Sequence, residues 1–169
     1  MSKLTADLRS YPPANTTDDE GGVFNGAGLS DAAAADFDLL CQTGVDFAES
    51  LLAQQGGFSP FGFTVKTDGK LDASIFRDRD PSNTPDAELD AMLDVIRPTR
   101  DDYRAVALFT DVTFNVSGSS TEMIRICLEH RDGGSLQVLM PYTMTGFRRK
   151  KPKISTEARA ADWPPRLWV

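Results

Sequence analysis

The chain has 169 residues, 40% of them hydrophobic and 25% charged, and a net charge of −7, the size and balance of one globular domain. It contains no run of about 18 apolar residues, which excludes a membrane-spanning helix. The acidic total argues against a general nucleic-acid binder, which needs a basic footprint to neutralise phosphates.

Residues 1–29 read as a flexible or extended leader. Pro12, Pro13, Asn15, Thr16 and Thr17 are followed by three acidic residues and then by Gly21, Gly22, Gly26 and Gly28. Such a segment has too little apolar surface to offset the entropy of ordering it. The glycines invite a phosphate-loop reading, but no Gly-Lys-Ser/Thr follows them, and a connector is the simpler one. The leader also lacks the apolar stretch of a signal peptide, so a cytoplasmic protein is expected.

Ser30 is a good N-cap for a first helix, with Asp31 near its positive end. Phe37, Leu40, Cys41, Gly44, Ala48, Leu51, Leu52 and Gln55 follow the spacing of one helix face, and Gly56-Gly57 supplies a left-handed stop. The run FGFTVKTDGKLDASIF then predicts a hairpin. A three-residue loop, Thr67-Asp68-Gly69, pairs Val65 with Leu71, Phe63 with Ala73 and Phe61 with Ile75, keeping the apolar residues on one face. Thr84 and Pro85 open a second helix with Leu89, Met92, Leu93 and Ile96 as its buried stripe, and Pro98 ends it.

Three strands follow. Val106, Leu108, Val112 and Phe114 share one face of the first, Ile124, Ile126 and Leu128 one face of the second, and Leu136, Val138 and Met140 one face of the third. An Arg131-Asp132-Gly133 loop pairs Leu128 with Leu136 and Ile126 with Val138. The expected fold is α+β, two helices packed on one five-stranded antiparallel sheet in the order α-β-β-α-β-β-β. The domain would span residues 30–147, with 148–169 as a basic, Trp- and Pro-containing tail. Ala105, Ala107, Phe109, Met123, Cys127 and Leu139 point away from the rows assigned to the core. That second face is too apolar to be solvated, so the termini or another subunit should cover it.

Candidate chemistry is sparse. Cys41 and Cys127 stand outside any metal-ligand or C-x-x-C spacing and read as packing residues in a reduced compartment. His130 is the only histidine and has Glu129 on the opposite strand face, so a structural or solvent-exposed histidine is expected. Asp78 and Asp80 resemble the start of a calcium loop, yet Asn83 and Leu89 stand where an EF-hand requires Gly and Glu. The alternative is a loop that holds a metal with a phosphorylated ligand, as a small-ligand binder or hydrolase would. No cofactor or metal is expected from the remaining residues.

Charge is unevenly divided: residues 1–96 carry 17 acidic and 6 basic side chains, net −11, and residues 97–169 carry 8 acidic and 12 basic, net +4. Arg148, Arg149, Lys150, Lys151 and Lys153 form the densest cluster, either a solvated edge or tail, or a dock for an acidic partner, a phosphate-rich ligand or the protein's own acidic N-terminal half. Both tryptophans, Trp163 and Trp168, lie in the Pro-stiffened terminus, which should dock on the protein's own sheet rather than on a partner.

The segments GGFSPFGFTVKTDGKL, YRAVALFTDVTF and IRICLEHRDGGSLQVLMPY resemble a family of small bacterial α+β proteins, some of them suspected immunity or accessory binding proteins. The element order is similar to that of roadblock-type domains, which dimerise and regulate GTPases; that is topology alone. The resemblance implies a non-catalytic, protein-binding module with no functional residue carried over. Phe109, Met123, Leu139, Arg148, Arg149, Lys150, Lys151, Trp163 and Trp168 are the candidate contact residues for a protein partner or for self-association, and a structural homo-oligomer is a further alternative.

Overall fold

The computed structural model describes residues 5–6, 24, 28–76 and 80–169. Helix α1 (Asp31–Gln55) begins where the Ser30 hydroxyl accepts the Ala33 N–H at 3.2 Å and ends at Gly56, whose φ of 71° suits glycine. Strands β2 (Phe61–Lys66) and β3 (Leu71–Phe76) follow, and β1 is the short Thr5–Ala6. Helix α2 (Pro85–Ile96) is capped by Thr84 and has Pro at the start of its first turn. Pro98 closes α2 as expected, but the chain continues as a 3₁₀ segment, Arg97–Asp102, rather than leaving helical geometry at once.

The long strands β4 (Tyr103–Val116), β5 (Ser119–His130) and β6 (Ser135–Thr145) form the centre of the sheet. Ser117 and Gly118 join β4 to β5 with φ values of 48° and 82°, the left-handed pair of a tight two-residue hairpin. The second predicted hairpin register is observed: Ile126 pairs with Val138 and Leu128 with Leu136. In the first hairpin, Val65 pairs with Leu71 as expected. A bulge then shifts the ladder, so that Phe61 meets Phe76 and not Ile75.

The expected strand count was too low. Among the described residues the sheet has eight strands, six of them in the order β3-β2-β4-β5-β6-β7, and it curls into a half-barrel. Strand β1 runs parallel to β4 beyond the end of β2. Strands β7 (Lys151–Ile154) and β8 (Arg159–Asp162) share the outer edge of β6, so the segment 148–169 contributes to the sheet. Pro152 sits in β7, on the outermost edge of the strand order, where a missing N–H is tolerated.

The helices occupy opposite faces, which corrects the single helical layer. Because the β4–β5 turn takes two residues, even positions of β4 pair with odd positions of β5. Ala105, Ala107 and Phe109 therefore share the α1 face with Ile124, Ile126 and Leu128, and with Phe61, Phe63 and Val65 of β2. Phe109 stacks on Phe61 at 4.8 Å and approaches α1 at Gly44, where a Cβ would overlap its ring. Val106, Leu108 and Cys127 face the other way, beneath Leu89, Met92, Leu93 and Ile96 of α2 and beneath Trp163 and Leu167 of the C-terminus. The second face is thus covered there by α2 and the tail. Met123 and Leu139 form a separate buried cluster with Val112 and Phe114.

Candidate functional site

Three buried polar clusters hold these layers in register, and each engages ionisable side chains in structural bonds. Asp36 falls within the apolar stripe of α1, between Ala33 and Leu40, and is buried. Arg104 donates to both of its oxygens, from Nε at 2.7 Å and Nη2 at 2.8 Å, a fork that matches a carboxylate. The carboxylate in turn holds the Arg104 guanidinium above its usual range. Asp132 donates its N–H to His130 Nδ1 at 3.1 Å, which leaves Nε2 as the ring's donor, to Asp36 at 3.2 Å. Both ring nitrogens are committed. His130 ties the end of β5 to α1, and Glu129, on the opposite face, takes no part.

Glu129 has a different task. Its two oxygens accept the backbone N–H groups of Arg166 at 2.9 Å and Leu167 at 2.8 Å, clamping the C-terminal segment to β5. Two guanidinium groups lie over the Trp163 ring, Arg166 at 4.3 Å and Arg125 at 5.0 Å from its centre. Arg125 also donates to Gln137 at 2.6 Å and to Asp86 of α2 at 3.0 Å. The tail docks on its own sheet, with Trp163 buried and Trp168 packed at the edge of the same cluster. The third cluster joins β4 to β6. Tyr142 donates to Asp111 at 2.7 Å, and burial together with that carboxylate raises the Tyr142 phenol above its ordinary value.

Among the predicted contact residues, Phe109, Met123, Leu139 and Trp163 are buried within one subunit, and Trp168 is half-buried. Arg148, Arg149 and Lys150 are exposed on the connection between β6 and β7, and Lys151 is exposed at the start of β7. Asp78 lies outside the described residues. The Asp80 carboxylate accepts from the Ser82 N–H at 2.9 Å and hydroxyl at 2.6 Å, shaping the turn that leads into α2. No group of three or more His, Cys, Asp or Glu side chains placed to hold a metal occurs among the described residues. No helix there is long and apolar enough to cross a membrane.

An open groove of about 410 Å³ lies between α1 and the β6 side of the sheet. Val45, Val138, Met140 and Ala158 give it an apolar lining, together with Phe24. Asp38, Gln42 and Asp46 of α1, spaced one helical turn apart, add a polar and acidic row. Burial holds the Asp38 carboxyl above its ordinary range. Cys41 also lines the groove. Burial first, and the charge of Asp38 second, push its thiol up from an ordinary 9.0 to about 12. The thiol is therefore protonated at neutral pH and a poor nucleophile.

Burial raises Cys127 likewise to about 12. A thiol raised on folding contributes its stability fully below its unfolded value. It loses that stability progressively as pH rises towards the folded one, here between 9.0 and about 12. The native protein should resist iodoacetamide at both cysteines near neutral pH and react at both in urea, as read by mass spectrometry. Its melting temperature should fall above pH 9.0, less steeply in Cys127→Ala. A fast native reaction at Cys127 would contradict this burial.

Comparison with protein-family models, curated proteins and solved structures finds no match to this chain.

Proposed function

We propose that this chain is a non-catalytic protein-binding module, of the accessory or immunity kind, whose receptor surface is the groove beside α1. The observation that carries the reading is the pairing of an apolar lining with an acidic row: Val45, Val138, Met140 and Ala158 beside Asp38 and Asp46. Its volume falls in the range of pockets that accept a discrete anchor, roughly 300–1,000 Å³. Such a surface selects an apolar or aromatic side chain flanked by cations, because the anchor gains burial while the flanks meet opposite charge. The protonated Cys41 thiol and the fully engaged His130 favour binding over nucleophilic chemistry in or near this face.

Selection from a displayed library of short peptides tests the proposal. Wild-type protein should enrich sequences with one aromatic or large aliphatic residue among Arg and Lys, and Ala158→Trp, which fills the groove, should not retain them. Enrichment of acidic sequences, or binding indifferent to Ala158→Trp, would overturn it.

A further inference from the structure

We propose that the groove is filled by the β6–β7 tip of a second copy of this chain, with Phe147 as the anchor. This rests on the binding reading above and names its occupant. Phe147 is 100% exposed, the most exposed large hydrophobic side chain among the described residues. It is followed directly by Arg148, Arg149, Lys150 and Lys151, all exposed and without an ion pair to the described acidic residues. The tip is a defined shape. Gly146 has a φ of 111°, and a Cβ there would overlap the Arg149 carbonyl oxygen, so the loop closes tightly on itself and holds Phe147 outward. A preformed loop loses little conformational freedom on docking.

The chemistry of tip and groove is complementary, an aromatic beside cations against an apolar lining beside Asp38 and Asp46. Both belong to the same flank of the molecule. The groove takes Val138 and Met140 from β6, the tip continues from β6, and the returning β7 packs against α1. A two-fold axis beside this flank lets each copy give its tip and receive the other's, so the contact is made twice and the assembly closes as a dimer. Each copy carries a net charge of −7, which opposes general association and leaves local complementarity as the attraction. Anionic lipid would also attract a basic tip, but it offers no counterpart to the acidic groove on the same flank.

Sedimentation velocity on the full chain at roughly 100 µM, where mass action favours association, provides the test. Wild type should sediment as a dimer. Phe147→Ala should weaken dimerisation at least tenfold, about 1.4 kcal/mol. The double variants Asp38→Lys/Asp46→Lys and Arg148→Glu/Arg149→Glu should each be monomeric with unchanged melting temperature. Mixed one to one, they should form a heterodimer, since one interface then pairs reversed groove with reversed tip and the other is native. A monomeric wild type, a mixture that stays monomeric, or Phe147-dependent capture of wild type by phosphatidylserine vesicles would overturn the proposal. A monomer that still selects groove-dependent basic peptides would remove only the second copy, whereas loss of both results would remove the binding reading as well.

Discussion

Deletion of residues 160–169 should lower the melting temperature by roughly 10–20 °C, the scale set by about 5 kcal/mol in a chain of this size. The groups that the tail buries or satisfies set this loss. Leu167 is fully buried and Trp163 nearly so, and burying side chains of this size contributes about 1.5–3 kcal/mol each. Glu129 would remain on β5 with both of its backbone donors gone. An unsatisfied buried acceptor costs about 1–3 kcal/mol, more when charged, although water entering the vacated site recovers part of that. Most of the β8 ladder on β6 would also be lost. Glu129→Gln isolates the clamp: the amide can accept from one N–H only and turns its own donor towards the other. We expect a loss of about 1.5–3 kcal/mol from that substitution, the range of a charge-assisted bond. A truncated protein melting with wild type would mean that the tail contributes nothing to the fold.

This dependence was partly legible in the sequence. Two tryptophans beside paired prolines announce a docking segment, and its receiving surface could be guessed as the apolar second face. Glu129 could not be identified as the clamp, because its partners are backbone N–H groups of a segment remote in sequence. The same limit explains the error about the helices. Strand alternation groups Val106 with Leu108 and Ile124 with Ile126, but it does not say that the two rows lie on opposite sides of the sheet. The two-residue Ser117-Gly118 turn settles that parity, and a Ser-Gly pair between two apolar runs is a turn signal that was available. Strands β7 and β8 were hidden by shortness, by Pro152 and by lysines, the features that make an edge strand look like a tail. The groove was harder still. Its α1 half is visible as Asp38, Gln42 and Asp46 beside Cys41 and Val45, whereas Val138, Met140 and Ala158 join it only through tertiary placement.

Asp36→Ala should destabilise the protein by about 3 kcal/mol, the lower end of the range for breaking a buried charge pair. The lower end applies because the Arg104 side chain is 36% exposed and can turn towards water, whereas His130 is almost wholly enclosed. Asp36→Asn should recover only part of the loss. One amide oxygen can still accept from the Arg104 fork, but the amide donor then faces a guanidinium N–H in either orientation, and the His130 Nε2 proton as well at the Oδ2 position. A double-mutant cycle with Arg104→Ala, measured by urea unfolding, should give a coupling energy of about 1–3 kcal/mol. A coupling below about 0.5 kcal/mol, the level of independent sites, would remove the fork from the account of what fixes α1. The consequence for function follows from position. Asp36 lies just before Asp38 and about one turn before Cys41, so it anchors the half of α1 that lines the groove. Under conditions where Asp36→Ala remains folded, Cys41 should alkylate faster than in wild type while Cys127, beneath α2 on the other face, keeps its wild-type rate. Equal acceleration at both cysteines would instead indicate global unfolding, and would separate the rigidity of the groove from the Asp36–Arg104 pair.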